Sequence, residues 1–365
     1  MKRFFKILLS SVCFLSLVFS CSCAEKEEIG EKISRIEDIA TSEYVNLYGR
    51  SYYNETKEST VLPNVASGVE VKFYGTALKA ETGTMHSISF GYDTLLSVLV
   101  DGDTNTEKHQ LTLKNKDVKE TVLISGLKKG WHTVKVLKRD SSSLSLWLLS
   151  TLSTDGYFSE APARPETKIM VYGDSITAGS DINRNIPTRT PYDGLLTYIM
   201  RPVLELGYEV NVFARGGAVM SCEWASEPDY STLKNYDKVA YDTVIPWDMS
   251  TYEPDVIVIY LGTNDYAVTK RGGGSQEQFE NAYISFIEKH AELYGEDVKF
   301  ILCRGSMSDF PLDNVISHFA DGRLSVELVT FDRCSEGHPV LEEHRAYALQ
   351  MKAKLLECLG ETTAQ

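Results

Sequence analysis

Three short apolar runs, each ending in a polar or glycine-rich turn, constrain the fold of this chain more than any other feature. The runs occupy residues 168–172, 210–214 and 255–261. They are short, apolar and rich in β-branched residues, a combination typical of buried strands. Strands that all run into polar turns at their carboxyl ends predict a parallel sheet, with the functional groups gathered at that edge.

The turns themselves carry candidate functional residues. The first run leads into GDSIT, which contains Ser175, the second into a Gly-Gly turn with Gly217, and the third into GTND with Asn264. The glycines beside Ser175 allow a sharp turn toward a helix start, where a backbone amide favours an anion. Ser175 is therefore either a nucleophile with its own oxyanion donor or an ordinary capping serine. A late His-Pro pair adds His338 before a predicted helix over residues 340–359.

These four motifs, in this order, resemble the SGNH hydrolases, also called GDSL esterases, over residues 167–359. The resemblance implies a three-layer α/β/α domain built on a parallel sheet. It also implies that Ser175 is the nucleophile and His338 the general base. The backbone amides of Ser175 and Gly217 and the side chain of Asn264 would form the oxyanion hole. A hydroxyl needs such a base, and the oxyanion needs donors already in place.

The acidic partner of His338 is the one position at which the sequence departs from the SGNH pattern. The family usually has an aspartate three residues before the histidine, where this chain has Ser335. Glu336 and Asp332 are the nearest acidic residues in that segment. A backbone carbonyl could instead accept the histidine N–H and leave a Ser–His dyad. We favour the dyad and keep Glu336 and Asp332 as alternatives.

The first half of the chain predicts a different architecture. Strand-like runs at 69–73, 95–100 and 133–137 are separated by turn signals, and no long helical pattern occurs. This pattern is typical of an antiparallel β-sandwich. We therefore predict a sandwich over residues 38–163 and a hydrolase domain over residues 164–365.

A sandwich ahead of an SGNH domain is similar to carbohydrate esterase family 2. Leu-Tyr-Gly-Arg ending at Arg50 and the Trp-Asp pair at Trp247 add to this resemblance. It implies a jelly-roll domain beside the hydrolase domain and an acetylated sugar as substrate. These enzymes often carry an aromatic residue directly before the histidine, where this chain has Gly337, so the resemblance does not specify which sugar is bound.

Two tryptophans are candidates for the wall of a sugar site. Trp224 and Trp247 lie near the Gly217 and Asn264 motifs in sequence, and aromatic faces suit sugar rings. Core packing is the alternative for each. The histidines and cysteines lack the spacings of a metal site, so we expect neither a metal nor a cofactor.

The amino terminus has the pattern of a bacterial lipoprotein signal. Three basic residues precede an apolar stretch at 7–19 that is too short to span a bilayer comfortably, and Ser20-Cys21 closes it. We predict a signal peptide over residues 1–21, lipidation at Cys21 with Cys23 as the alternative, and a flexible tether over residues 22–37. A plain secretory signal is the other possibility.

These features predict a lipoprotein of the cell envelope, attached to the membrane by lipid. The formal net charge of the chain is −14, which argues against nucleic acid as a partner.

Four further cysteines could pair in an oxidising envelope. Cys222, Cys303, Cys334 and Cys358 allow three connectivities, which the sequence does not distinguish. A Cys303–Cys334 disulfide would brace the loop that carries His338. Separate thiols are the default expectation.

The function predicted from these features is a serine esterase that removes acetyl groups from carbohydrate. One alternative is an esterase or thioesterase with a broader preference for short acyl chains. Another is a glycan-binding lipoprotein whose esterase site is a relic, for which the missing aspartate before His338 is the only support.

Overall fold

The computed structural model describes residues 32–86, 92–221 and 230–361. Residues Ile33–Gln365 belong to one compact unit. The predicted signal peptide with Cys21 and Cys23, as well as Cys222 and Trp224, lie outside the described residues. Among the described residues, no helix is both long enough and apolar enough to cross a membrane.

The described part of the first half is a sandwich of two antiparallel sheets. The first has the order β3-β4-β11-β6-β9, with β1 beside β11, and the second has the order β12-β5-β10-β7-β8, with β2 beside β5. The strands are β1 (Arg35–Ile36), β2 (Asn46–Tyr48), β3 (Tyr52–Asn54), β4 (Ser59–Leu62), β5 (Gly68–Gly75), β6 (Leu78–His86), β7 (Thr94–Val100), β8 (Gln110–Leu113), β9 (Lys119–Ile124), β10 (Gly130–Lys138), β11 (Ser145–Thr154) and β12 (Tyr157–Ser159).

Alternation of side chains explains why these segments form a sandwich. In β5, Val69, Val71 and Phe73 are fully buried, while the side chains between them face outward. Successive residues of a strand point to opposite faces, so this pattern places one face on the core between the sheets. Trp147 of β11 is also buried there, and its indole N–H donates to Thr82 Oγ1 at 2.7 Å. The predicted sandwich is confirmed.

The second half contains a parallel sheet with helices on both faces. Its order is β14-β13-β15-β16-β17, and every neighbouring pair is parallel. The strands are β13 (Lys168–Gly173), β14 (Glu209–Ala214), β15 (Val256–Tyr260), β16 (Lys299–Arg304) and β17 (Val326–Thr330). The helices are α1 (Met200–Leu206), α2 (Thr232–Asn235), α3 (Thr263–Thr269), α4 (Gln276–Tyr294), α5 (Asp313–His318) and α6 (Leu341–Leu359).

Both faces of this sheet are buried, which explains why its strands are apolar throughout. Ile169 and Val171 of β13 belong to a core shared with α1 and α6, whereas Met170 and Tyr172 belong to a core shared with α4. Strands covered on both sides carry continuous apolar runs rather than alternating ones. The predicted three-layer hydrolase domain is confirmed, and its carboxyl edge lies at the turns that contain the candidate residues.

One predicted boundary differs from the structure. Residues 22–37 were predicted to be a flexible tether, yet Arg35 and Ile36 form β1, which pairs with Ser153 and Leu152 of β11. Ile36 is 3% exposed, so it contributes to the sandwich core. The sandwich therefore begins before residue 38.

A buried arginine joins the sandwich to the hydrolase domain. Arg50, which follows β2, is fully buried, and its Nη1 donates to the carbonyl oxygens of Tyr236 and Lys238, each at 2.5 Å. Its guanidinium carbon lies 4.3 Å from the ring centre of Phe213 and 4.2 Å from that of Trp247. No carboxylate among the described residues pairs with Arg50, and stacking on aromatic faces accommodates its buried charge.

Candidate active site

The structure brings Ser175 and His338 together at the carboxyl edge of the parallel sheet. Ser175 lies two residues beyond the end of β13, and His338 lies in the loop before α6. The Ser175 hydroxyl is 2.8 Å from His338 Nε2, so Oγ–H can donate to the ring nitrogen. A serine in this geometry has a base positioned to take its proton.

The acidic partner of His338 is Asp181, a residue that no motif in the sequence indicated. His338 Nδ1 lies 3.0 Å from Asp181 Oδ2, so Nδ1–H donates to the carboxylate and leaves Nε2 free to accept from Ser175. The expectation of a backbone acceptor was therefore wrong. Glu336 and Asp332 are both exposed, and the backbone carbonyl of Asp332 instead accepts the Tyr347 hydroxyl at 2.6 Å.

The backbone turn after Ser175 explains how Asp181 reaches the histidine. The sequence suggested a helix here, but the chain makes a series of turns, in which Ser180 N–H donates to Ser175 C=O at 2.9 Å. Asp181 has φ of +58°, a left-handed conformation that aspartate tolerates better than most residues. This conformation turns the chain back, so a carboxylate only six positions after the nucleophile faces the base.

The predicted oxyanion donors border the same cavity as Ser175 and His338. Gly217 follows β14 with φ of +84°, and Asn264 lies in the first turn of α3, directly after β15. Both residues line a cavity of about 370 Å³ together with Ser175 and His338. Asn264 Nδ2 donates to the Ala218 carbonyl at 2.9 Å, which fixes the orientation of the amide. Their role as donors stays a prediction.

Asp174 stabilises the turn that holds the nucleophile. Its side chain is fully buried, and Oδ1 accepts the Ile176 N–H at 2.9 Å. Burial raises the pKa of Asp174 to about 7, because the charged form loses its solvation. Burial therefore favours the protonated form of this carboxyl group, which immediately precedes the nucleophile in the chain.

The sandwich domain supplies part of the cavity wall. Ser141, Ser143 and Leu144 lie in the loop between β10 and β11, and they line the cavity opposite the hydrolase residues. Ser141 Oγ and Ser143 Oγ lie 2.8 Å apart, within hydrogen-bonding distance. We refer to residues 140–144 as the serine loop. Because this loop belongs to the other domain, no motif in the sequence indicated its place in the site.

A buried ion pair holds the serine loop. Lys138 Nζ lies 2.6 Å from Asp140 Oδ1, and the two side chains are 0% and 2% exposed. Asp140 also accepts hydrogen bonds from Leu95 N–H at 2.8 Å and from the Ser145 hydroxyl at 2.5 Å. A buried pair adds little net stability, but once its groups are fully bonded it can favour a single loop conformation.

A second interdomain connection runs to the glycine turn. The Ser142 hydroxyl donates to Asp242 Oδ2 at 3.2 Å, and Arg215 Nε donates to both oxygens of Asp242 at 3.0 and 3.1 Å. Arg215 Nη1 in turn donates to the Gly216 carbonyl at 2.8 Å. The serine loop is thereby connected to the residue that precedes the predicted donor Gly217.

The aromatic wall residue is a tyrosine rather than the predicted tryptophan. Tyr192 lines the cavity, whereas Trp247 is absent from its lining and packs on Arg50 instead. Trp247 is half-buried and packs against the core of the hydrolase domain, where its ring covers a buried charge. The assignment of Trp247 to the site wall was therefore wrong, and Trp224 lies outside the described residues.

The described cysteines are separate thiols. Cys303, Cys334 and Cys358 are free, so the disulfide between Cys303 and Cys334 is not formed. Cys334 Sγ instead donates to the Gly337 carbonyl at 3.0 Å, next to His338. In the described part of the chain, no group of three histidine, cysteine or acidic side chains is placed to hold a metal ion.

Comparison with known proteins agrees with this fold. Residues 47–162 match the family model described as Carbohydrate esterase 2 N-terminal. The chain is 24% identical over 380 residues to an acetylxylan esterase / glucomannan deacetylase from Cellvibrio japonicus, covering 98% of this chain and 99% of that protein. It is also 26% identical over 315 residues to the cellulase/esterase CelE of Acetivibrio thermocellus. That match covers 80% of this chain and spans 37% of CelE.

A solved structure shows the same arrangement of domains. A family two carbohydrate esterase from Clostridium thermocellum, in complex with cellohexaose, superposes with a TM-score of 0.75 at 24% sequence identity. The match covers 87% of this chain and 99% of that one. The resemblance to carbohydrate esterase family 2 is confirmed, and the superposition agrees with the predicted fold.

Proposed function

We propose that this chain, an SGNH-fold ester hydrolase of the carbohydrate esterase 2 type, removes acetyl groups from carbohydrate through an acetyl-enzyme on Ser175. The observation that carries the proposal is the continuous hydrogen-bonded series from Ser175 Oγ through His338 to Asp181, with contacts of 2.8 and 3.0 Å. This arrangement generates a nucleophile, and the same cavity contains the predicted donors for an oxyanion.

In the first half of the reaction, Ser175 Oγ attacks the acetyl carbonyl carbon and its proton moves to His338 Nε2. The carbonyl oxygen becomes an oxyanion that accepts hydrogen bonds from the amides of Ser175 and Gly217 and from Asn264. Asp181 keeps the Nδ1 proton in place and stabilises the imidazolium. Nε2–H then protonates the sugar oxygen as the ester bond breaks, which leaves an acetyl group on Ser175.

In the second half, a water molecule takes the place of the sugar alcohol. His338 Nε2 removes one proton from this water as its oxygen attacks the acetyl carbon. The same three donors hold the second oxyanion. The bond to Ser175 Oγ then breaks, Nε2–H returns the proton to the serine, and acetic acid leaves the site and releases its remaining proton to solvent as acetate.

Two features support a polar alcohol as the leaving group. The cavity wall contains the hydroxyls of Ser141 and Ser143 and the ring of Tyr192, groups that bind and stack on sugars. The relative that aligns over nearly its full length is named an acetylxylan esterase / glucomannan deacetylase. The alternative of a glycan-binding protein with a relic esterase site depended on a missing aspartate, and Asp181 removes that support.

The test measures acetate released from acetylated xylan, acetylated glucomannan and a series of aryl esters with acetyl, butyryl and octanoyl groups. We expect release from at least one polysaccharide and a preference for acetyl. Ser175→Ala should abolish both activities, and Ser317→Ala, at an exposed serine of α5, should change neither. Turnover of the aryl acetate without release from any acetylated carbohydrate would favour a broader esterase instead. Full activity in Ser175→Ala would refute the nucleophile.

We also propose that the protein is a lipoprotein of the cell envelope, lipidated at Cys21. The support is the basic start, the apolar stretch at 7–19 and the Ser20-Cys21 pair. Metabolic labelling with a clickable fatty acid tests this directly: Cys21→Ser should lose the label, and Cys23→Ser should retain it.

A further inference from the structure

A second cavity adjoins the catalytic one between the two domains. It has a volume of about 420 Å³ and lies between β7 and β8 of the sandwich and the turns that follow Asp181. Leu144 and Tyr192 line both cavities, so the second begins where the first ends. Its volume lies within the roughly 300–1,000 Å³ of small-molecule binding sites.

The lining of this second cavity combines aromatic faces with neutral polar groups. Tyr92 is 42% exposed, and its ring centre lies 5.6 Å from that of Tyr192 in an edge-to-face arrangement. Gln110, Thr112 and Thr190 add an amide and two hydroxyls to the same cavity. A ligand with apolar ring faces and many hydroxyl groups matches this combination.

The charged groups of the cavity are largely neutralised within the protein. Arg139 pairs with Asp193, Arg189 with Glu107 at 2.5 Å, and Asp140 with Lys138 at 2.6 Å. The lining also contains Asp93 and Lys114, which carry opposite signs. No excess of one charge favours an anionic or a cationic ligand, so a neutral glycan is the occupant that the chemistry fits.

We propose that this second cavity is a subsite for the sugar that neighbours the esterified sugar in the glycan chain. The inference rests on the proposed function, because it extends the same site. When an acetylated sugar occupies the catalytic cavity, the next sugar of the glycan extends past Leu144 and Tyr192 into the second cavity. The sandwich domain thereby selects for polymer.

The experiment compares kcat/KM for acetate release from acetylated xylose and mannose with that for the corresponding acetylated tetrasaccharides. The wild-type enzyme should prefer the tetrasaccharides. Tyr92→Ala and Gln110→Ala should each lower kcat/KM on tetrasaccharides about three- to tenfold and leave the monosaccharides and an aryl acetate unchanged. Tyr53→Ala, at a tyrosine of β3 that is 59% exposed and outside both cavities, is the matched control and should change nothing.

The outcomes separate this inference from the proposed function. Equal kcat/KM on monosaccharides and tetrasaccharides, with Tyr92→Ala and Gln110→Ala indistinguishable from wild type, would overturn the subsite while acetate release still supported the esterase. If kcat/KM on the aryl acetate also fell, the variants would perturb the fold or the catalytic cavity, and this result would likewise overturn the subsite. Turnover of the aryl acetate alone, with no acetylated sugar accepted, would overturn the proposed function and the subsite with it.

Discussion

Asp181 takes the role of the aspartate that SGNH hydrolases usually carry three residues before the histidine. A Ser–His–Asp arrangement is defined by which atoms meet, and the acid can come from any loop that reaches Nδ1. Here Ser335 stands at the usual position, and the carboxylate comes from the turn after the nucleophile, with its oxygen 3.0 Å from the ring. Nucleophile and acid therefore belong to one short segment.

Replacement of Asp181 tests this assignment. Asp181→Asn keeps the shape of the side chain but can no longer hold the Nδ1–H tautomer or stabilise the imidazolium. We expect kcat on an aryl acetate to fall about 10- to 100-fold with KM little changed, less than for a fully buried acid because the Asp181 side chain is 43% exposed. Steady-state kinetics across pH would measure both parameters.

The exposed carboxylates of the histidine loop are the matched controls. Glu336→Gln and Asp332→Asn should each leave kcat within about twofold of wild type, since neither side chain is within hydrogen-bonding range of His338 in the structure. A larger loss of kcat in Glu336→Gln than in Asp181→Asn would mean that Glu336, an alternative considered from the sequence, is the acidic partner of His338.

Residue types in local motifs were predictable, and long-range partners were not. Ser175 and His338 each lie in a short motif of consecutive residues, so the sequence pattern alone locates them. The contact of Asp181 with His338 depends on a left-handed residue inside an irregular turn, which no periodicity encodes. Trp247 was misassigned because nearness in sequence to a motif does not determine whether a side chain lines the cavity or packs against the protein interior.

At the scale of elements, the turn between β13 and α1 sets the position of the acid. Gly179 has φ of +77°, its N–H donates to the Ile176 carbonyl at 3.2 Å, and its carbonyl accepts from Asp193 N–H at 3.1 Å. A Cβ at this position would meet the backbone carbonyl of Asp193. The turn therefore requires glycine both for its conformation and for its close approach to another backbone segment.

Gly179→Ala tests the role of this turn. The left-handed conformation alone costs alanine about 1 kcal/mol, and the collision with Asp193 must shift the chain that carries Asp181. We expect a lower melting temperature and at least about a tenfold loss of kcat, since small misplacements of catalytic groups reduce rates strongly. Thermal unfolding and aryl acetate kinetics measure the two effects.

Gly102→Ala separates strain from collision. Gly102 has φ of +79°, nearly the same as Gly179, but a Cβ there would meet nothing within 4 Å. It should show only the cost of the backbone conformation, about 1 kcal/mol, with unchanged kcat. Equal activity in the two variants would mean that the turn does not position the acid.

Strands that are buried on both faces were more predictable than β17, one of the two edge strands of the parallel sheet. β13, β14 and β15 appear in the sequence as apolar runs because both of their faces are covered. β17, at the edge of the sheet, has only Val329 buried among its five residues, and its composition gave no clear signal. The expected helix after Ser175 does not form. The chain there makes a series of hydrogen-bonded turns instead, and these turns position the side chain of Asp181.

At the scale of the whole molecule, the site belongs to both domains. The serine loop of the sandwich lines the cavity, and Ser142, Asp242 and Arg215 connect that loop to the glycine turn of the hydrolase domain. No sequence pattern reports how two domains pack, which is why this half of the site emerged only from the structure. The fold of each domain could be predicted, whereas their shared cavity could not.

The most direct test of the central claim is covalent labelling with a serine-reactive fluorophosphonate, followed by peptide mapping and measurement of the labelling rate. The account predicts modification of Ser175 alone, at a rate that falls strongly in His338→Ala and less in Asp181→Asn. Modification of a different residue, or a rate at Ser175 that does not depend on His338, would contradict it.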